Sequence, residues 1–595
     1  MYLKSLVISN FRKIKYTRFD FSEGLNVIVG ANNIGKTALV DALRSLLAGH
    51  EDPYPSLTIE DIHRPADGGS AIGPISFEFI FDGLSHEDEA DFIQALVPNG
   101  KAFEAHLFVS YSLVDESSER LRPRRWCGAH EELGLTSDML ENLRGVYLPP
   151  LRDASQGLRP GRRSQLARLM RLLGEKDPVG KESVETLIRR FEVLLKNRSP
   201  IKATKDAIFF RHKNMLGETL AQELDLGITG SDYNLVSARL SLMVDYFGIE
   251  ANGLGFNNLI FMAVVLSEMV KDKTAAYRGL IIEEPEAHLH PQLQVILLEY
   301  LESIKADTGE GNVQLFVTSH SPNFAAIANL DSTICMIQRK DRVVAFSPRN
   351  VKFDTVQKES ETKRKKLERY LDITRAEIFF ARRVIFVEGA AELMLISVLA
   401  KKLGYQYDLR KHAISLISVE GLNFDCFLPI FGEAALPIPV AAITDADPVA
   451  DPDQEDAEPI YPSLEEVVNI SSNTKSMLKY QDNLIKIFYG VKTLEYDLAL
   501  HDDNRKVMIA TLIEMHPKIG RDLQALINRA ITDQEKAKIL FTGMFERGSN
   551  KKNIQKGRYG QALADSIAKL GPAEKFVVPE YIGNAIKHVC DYEEA

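Results

Sequence analysis

Cysteine is scarce in this chain of 595 residues. There are four, Cys127, Cys335, Cys426 and Cys590, and none forms a C-x-x-C pair. That excludes a zinc ribbon or a disulfide framework and suits a reducing cytoplasm. An excess of positive charge is also missing: 72 Lys and Arg face 83 Asp and Glu, a net charge of −11. A histone-like coat on nucleic acid is excluded, whereas a local basic groove is not, because binding uses one patch of surface. No apolar run reaches the roughly 20 residues of a membrane span; the stretch Leu259 to Val270 carries polar residues and suits a buried helix. The opening MYLKSLVISNFRKIKY has no signal-peptide core followed by a cleavage site. No repeat and no long low-complexity segment is present.

What remains is ordinary globular material, 45% hydrophobic and 26% charged, enough for three to five units at roughly 100–200 residues each. Leu3 to Ser9 reads as a strand, Phe19 to Phe21 as another, and Leu25 to Val29 as a buried one, followed by a Gly-rich loop and a helix over Lys36 to Leu47. A second α/β stretch runs from Gly279 to Ser347. Between the two, Arg162 to Tyr246 is patterned for helix, an insertion that splits one domain into two sequence halves. Lys358 to Arg369 is dense in charge and reads as a solvated linker or exposed helix, or as a DNA-facing strip. A further α/β unit begins at Val384, with strands in ISLISVEG and VAAITDADP. Asp445 to Glu458 is an acidic, Pro-containing loop, and Leu478 to Leu540 reads as mostly helical. The expected divisions are 1–160, 161–245, 246–350, 351–380 and 381–595, in an α/β fold class.

Gly30-Ala31-Asn32-Asn33-Ile34-Gly35-Lys36-Thr37 fits G-x-x-x-x-G-K-[ST] between an apolar strand and a helix, the context such a loop requires. Glycines let backbone N–H groups curl around phosphates, the helix N-terminus adds positive potential, Lys36 neutralises the β and γ charge, and Thr37 can ligate Mg²⁺. In GLIIEEPEAHLHP, an apolar strand ends in Glu283-Glu284. The first acid can hold the metal shell and the second can polarise the attacking water. ATPases of this type more often carry Asp at the first position, and the longer reach of Glu283 alters the expected metal geometry. His320, after another strand, can sense a γ-phosphate.

Farther along, Glu388 stands at a strand end before a Gly turn, and Asp445 and Asp447 stand at another strand end, sharing one face because alternate strand residues do. Carboxylates gathered at the ends of parallel strands form an oxygen site for Mg²⁺ or Mn²⁺. Two such ions support phosphodiester hydrolysis. The cluster Arg120, Arg122, Arg124 and Arg125 around Trp126 reads as a solvated loop, with a DNA-facing patch as the alternative.

The first set of motifs resembles the ABC-type ATPases of the RecF, SMC and OLD (overcoming lysogenization defect) families, and the E-G…D-x-D order resembles the Toprim domain. The resemblance implies that Arg12 lies near ATP and that Gly255 and Asn257, in NGLGFNN, occupy the place of the signature that meets the nucleotide of an opposite subunit. It implies a head interrupted by a helical dimerisation insertion, and a C-terminal Toprim domain with helical insertions. It assigns Glu392 and Glu495 as further metal ligands, matches Gly421 to the glycine after the second Toprim strand, and makes Lys556 a catalytic cation, with Lys551 and Lys552 as alternatives. ATP-binding heads joined to a Toprim domain are the architecture of OLD-family nucleases, including the nuclease subunit of Gabija-type anti-phage systems. The implied activity is a metal-dependent, ATP-regulated DNA endonuclease or nickase in the cytoplasm, acting on double-stranded DNA as a homodimer or dimer of dimers. A helicase or retron component encoded elsewhere is the further partner the resemblance suggests. Three other readings stand beside it: an ATP-switched DNA sensor whose partner cuts, a RecF/SMC-type recombination ATPase, and a Toprim topoisomerase. The last needs a nucleophilic tyrosine, and none of the 19 is marked out for it.

Overall fold

The computed structural model describes residues 1–47, 54–65, 69, 72–113, 120–150, 157–162, 164–218, 220–226, 232–304, 311–340, 342–448, 459–466, 469–548, 552–571 and 574–592. Three main sheets organise them. The first is antiparallel, in the order Ile14–Asp20, Tyr2–Phe11, Ile75–Asp82, Ala102–Leu113, Leu96–Asn99, with Leu121–Cys127 also paired to Ala102–Leu113. The second runs Arg342–Phe346, Thr333–Arg339, Leu25–Gly30, Gln314–Ser319, Tyr277–Glu283, Leu143–Leu148. It is parallel except at its Arg342–Phe346 edge. Its central strand LNVIVG is buried at every position, as expected of a strand covered on both faces. The third is a parallel sheet of four, in the order Ile414–Ser418, Arg383–Val387, Val440–Thr444, Ile485–Tyr489.

The first two sheets form the head. The helices Gln165–Lys176, Pro178–Lys196 and Ser199–Leu216 interrupt it, and the latter two bury no residue. Leu187, Phe191, Leu194 and Phe210 are accordingly exposed. The helix Leu254–Lys271 has the length and apolarity of a membrane span. Its buried face, Met262, Val265, Leu266 and Met269, belongs to the head core.

One apolar core runs without a break from Leu25 and Val27 through Phe379 into Val384, Phe386 and Val440, so the head and the third sheet pack on each other. The charged stretch Lys358 to Arg369 lies in the helix Gln357–Tyr370 and braces this junction. Arg364 pairs with Asp331 of the head at 2.6 Å, Lys366 pairs with Asp425 of the third-sheet domain at 2.8 Å, and Leu367 is buried. Its charges are partly spent on the protein itself.

Two expectations need correction. The arginine cluster is not a loop: Leu121–Cys127 is a strand. Among the described residues its only ladder is with Ala102–Leu113, the other side carrying just the isolated bridge of Trp126 to Gly134, so Pro123 removes no ladder bond that a central strand would need. Arg125 stacks on Tyr54 at 3.9 Å. The region Leu478 to Leu540 is mostly helical, as its pattern indicates, and also holds Ile485–Tyr489, the edge strand of the third sheet. Near the N-terminus the second strand spans Ile14–Asp20 rather than Phe19 to Phe21. Lys551 and most of the acidic loop before Glu458 lie outside the described residues.

Candidate active sites

In the head, strand register sets the first site. Pairing Ser319 with Val29 and Met336 with Gly30 brings Gly30, Glu283 and His320 to one end of the parallel sheet, the end where ligands bind such sheets. Gly35 has φ +110°, a left-handed conformation in which an L side chain is strained, and a Cβ on Gly30 would lie 2.6 Å from the Met336 carbonyl oxygen. The loop therefore needs glycine at both positions. It borders a cavity of about 300 Å³ lined by Arg12, Lys13, Asn33, Gly35, Lys36, Thr37 and His320. Lys36 Nζ donates to the carbonyls of Gly30 (2.5 Å) and Ala31 (3.0 Å) and lies 2.9 Å from His320 Nδ1. Burial lowers its pKa to about 8.

The acids of this site are already partnered. Tyr147 donates its hydroxyl to Glu283 at 2.5 Å, and Thr37 hydrogen-bonds the same carboxylate, whose pKa burial nonetheless raises. Glu284, at φ +44°, lies 3.2 Å from His320 Nε2. Burial, and then the Lys36 charge, lower the His320 pKa, so the imidazole is favoured neutral. Arg12 is held by Asp61 and Asp41, both at 2.7 Å. Asn32 sits on the opposite flank of the loop, in a cleft of about 390 Å³ facing Phe379, Arg383 and Pro439. Gly255 and Asn257 are not brought to this cavity. Asn257 is buried and hydrogen-bonds the Ile249 carbonyl and Asn252, and a Cβ on Gly255 would meet the His288 carbonyl. Sequence reasoning missed Tyr147 and Glu286; the latter accepts from Ser319 and from the His320 N–H and so fixes the histidine loop. The run P-E-A-H was the only available signal.

The second site forms at the carboxyl ends of the four-stranded sheet. Matching Val384 with Val440 and Phe386 with Ala442 levels Glu388 with Thr444. Glu388 Oε1 accepts from Thr444 Oγ1 at 2.6 Å and from the Asp445 N–H at 2.8 Å. Gly421, at φ +91°, donates its N–H to the Glu388 carbonyl at 2.8 Å. Glu392 closes the first turn of the helix Ala390–Leu403 by accepting from the Gly389 N–H. Glu495 enters from the helix Leu494–Ala499, which Thr493 caps. The helix Lys556–Lys569 packs closely on Ala390–Leu403, with Gly560 against Ala391. This seats Lys556 Nζ 3.1 Å from Glu495.

Electrostatically this site is short of cations. Burial and neighbouring carboxylates raise the pKa values of Glu388, Glu392 and Asp445, and burial raises that of Asp447. Burial opposes the Lys556 charge, but Glu495, Asp445 and Glu392 outweigh it and push Lys556 up to about 12. Among the described residues no three acids already converge on one point. The donors are nevertheless all oxygen, and Glu495 Oε1 is buried without a hydrogen-bond partner, which fits a hard divalent cation. Lys492 and Asp497 were missed in the sequence. Lys492 is buried, its Nζ 4.6 Å from the Tyr461 ring centroid. Asp497 lies within the Leu-Glu-Tyr-Asp run that drew attention only to Glu495.

Residues 379–447 match the family model described as overcoming lysogenization defect protein-like, TOPRIM domain. Residues 1–99 and 175–325 match an AAA ATPase domain. The OLD nuclease of Thermus scotoductus is 26% identical over 394 residues, 65% of this chain and 71% of that protein. Endonuclease GajA of Bacillus cereus is 24% identical over 276 residues, 42% of this chain and 38% of that one. A DNA replication and repair protein RecF from Caldanaerobacter subterraneus is 45% identical over 49 residues, 8% of this chain and 14% of that one. Among solved structures, the C-terminal region of the Burkholderia pseudomallei OLD protein aligns with 36% of this chain and 98% of its own, at 24% identity and a TM-score of 0.25. An SMC head bound to a ScpA domain aligns with 58% of this chain and 98% of its own, at 19% identity and a TM-score of 0.36.

Proposed function

We propose that this chain, an ATPase head joined to an OLD-like Toprim domain and homologous to OLD nuclease, is a metal-dependent DNA endonuclease or nickase regulated by its nucleotide site. The observation that carries this reading is that Glu388, Glu392, Asp445, Asp447 and Glu495 all lie near the carboxyl end of one parallel sheet, close enough to raise one another's pKa values, with Lys556 paired to Glu495. Glu388, Asp445 and Asp447 would hold one Mg²⁺ or Mn²⁺, and Glu392 and Glu495 a second. When bound, the ions supply Lewis-acid stabilisation of the phosphodiester and lower the pKa of attacking water. Glu388 is kept aimed by Thr444 and the Asp445 N–H. Lys556, charged and 42% exposed, neutralises charge that develops on the phosphoryl oxygens.

In the head, Lys36, Thr37 and the loop N–H groups would hold the phosphates of ATP and its Mg²⁺, and Glu283 would complete the metal shell. Glu284 would orient the attacking water beside a neutral His320. Double-stranded DNA is the proposed substrate, anti-phage defence in the cytoplasm the proposed role, and a homodimer or dimer of dimers the proposed assembly. The exposed Leu187, Phe191, Leu194 and Phe210 of the helical insertion support an apolar contact between copies. The similarity of 49 residues to a DNA replication and repair protein RecF favours one second reading, a RecF/SMC-type recombination ATPase or ATP-switched DNA sensor acting with a partner that cuts. Nicking of supercoiled DNA in Mg²⁺ or Mn²⁺ separates the two: wild type cuts and Glu388→Ala does not if the Toprim acids act. Equal traces from both proteins would hand the reading to the sensor.

A further inference from the structure

Between the strand Ile485–Tyr489 and the helix Leu494–Ala499 the chain turns through Gly490 to Thr493. Within that turn the Lys492 carbonyl accepts hydrogen bonds from the backbone N–H groups of Ala446 (2.8 Å) and Asp447 (3.3 Å). Asp447 needs such a hold. Its φ is +38°, a region non-glycine residues rarely occupy and keep only when their surroundings over-determine it.

The turn is shaped from behind by Asp497, which is 3% exposed. Its carboxylate accepts the N–H of Val491 at 3.2 Å and that of Lys492 at 3.1 Å. Tyr581, in the last helix Glu580–Cys590, hydrogen-bonds the same carboxylate. Helix geometry explains why Asp497 serves this purpose while Glu495 faces Lys556. Residues two apart leave an α-helix about 200° from each other, so the two carboxylates point to opposite sides. Gly490 makes room for the arrangement, since a Cβ there would lie 1.6 Å from Asp497 Oδ2 and 2.7 Å from the Tyr581 ring.

We infer that Asp497 is a positioning residue for the metal-binding acids: oriented by Tyr581, it fixes the Val491–Lys492 turn, and through the Lys492 carbonyl it fixes the backbone of Ala446 and Asp447. The inference rests on the Toprim reading above and adds to it a group that touches neither substrate nor metal. Outer groups of this kind tune ligand geometry, and their loss typically costs about 10–100-fold in metal affinity or activity.

The test compares the full-length wild type with Asp497→Asn, which keeps the size but turns one of the two acceptors into a donor facing the N–H it had accepted. The kcat of DNA cleavage is expected to fall about 10–100-fold with the KM for DNA unchanged. Mn²⁺ affinity of the nucleotide-free protein, read by calorimetry without DNA, is expected to weaken about tenfold or more. Unchanged ATP hydrolysis reports that the head is folded, and an unchanged circular dichroism spectrum that the rest of the chain is. Tyr581→Phe removes one hydroxyl of the carboxylate's several partners and is expected to move both readouts the same way by roughly threefold, less than loss of the carboxylate itself. A carboxylate that only supports the core would move the melting temperature and leave Mn²⁺ affinity alone. Mn²⁺ affinity and kcat within about twofold of wild type in both variants, or a raised DNA KM at unchanged kcat, overturns the role. If wild type itself neither binds Mn²⁺ nor cuts DNA, the Toprim reading falls and takes this role with it. If wild type does both and the variants match it, the positioning role falls alone.

Discussion

The two candidate sites solve opposite charge problems. In the head, a buried lysine waits among carbonyls, Glu283 is bonded by Tyr147 and Thr37, and Glu284 lies against His320. The internal partners hold the side chains in place, and what the cavity has to spare is positive potential, from Lys36 and a helix N-terminus, for a polyanion. In the Toprim domain five acids crowd one sheet end, with Lys556 the cation paired to one of them and an orphaned oxygen on Glu495. What is lacking there is positive charge, so under the proposed function metal would complete the site rather than decorate it. Under the proposed function each ligand would enter the energetics differently: the anion would find a preformed cradle, whereas the cations would relieve a repulsion built into the fold.

This contrast can be broken by mutation. The largest effect expected is on Glu388→Ala, whose DNA cleavage should fall about a thousandfold or more while ATP hydrolysis stays at the wild-type rate. A parallel loss of ATP hydrolysis would mean that the two sites act as one unit. Next, Lys556→Met should slow single-turnover cleavage about 10²–10³-fold if, as proposed, this lysine neutralises transition-state charge. Lys36→Ala should weaken ATP binding about 100-fold in equilibrium titrations by deleting the charge on the phosphates, with nucleotide-free cleavage unaffected. Mg²⁺ at a hundredfold excess over its Kd should stabilise nucleotide-free wild type by about 2.7 kcal/mol in calorimetric unfolding, and Glu388→Ala by less. Equal stabilisation of both would remove the acids from the account of metal binding. The smallest effect belongs to the surface: Arg124→Ala, which loses an exposed pair with Glu131, should change stability by less than about 1 kcal/mol.

The head site was legible because it is contiguous. Eight residues from Gly30 to Thr37 carry the loop, its lysine and the start of its helix, so spacing alone announces the chemistry. The Toprim acids come from three separated segments, and only a strand register shows that Glu388 and Thr444 stand level. Ile485–Tyr489 escaped notice because five residues, with Ile485 and Ile487 buried and Lys486 between them, are submerged in helical neighbours. Without that strand the turn at Gly490 has no place in the fold, and Asp497 reads as one more helical acid. The arginines of Leu121–Cys127 looked like a solvated loop because charge and proline disguise an edge strand. The charged stretch from Lys358 looked like a linker because its ion-pair partners, Asp331 and Asp425, lie far away in sequence.

The measurement that tests the central claim most directly is nicking of supercoiled DNA in Mg²⁺ or Mn²⁺, with and without ATP, by wild type, Glu388→Ala and Lys36→Ala side by side. The account predicts cutting by wild type, none by Glu388→Ala under any condition, and cutting by Lys36→Ala that no longer responds to ATP. Hydrolysis of ATP by a wild-type protein that cuts no DNA in either metal would contradict it.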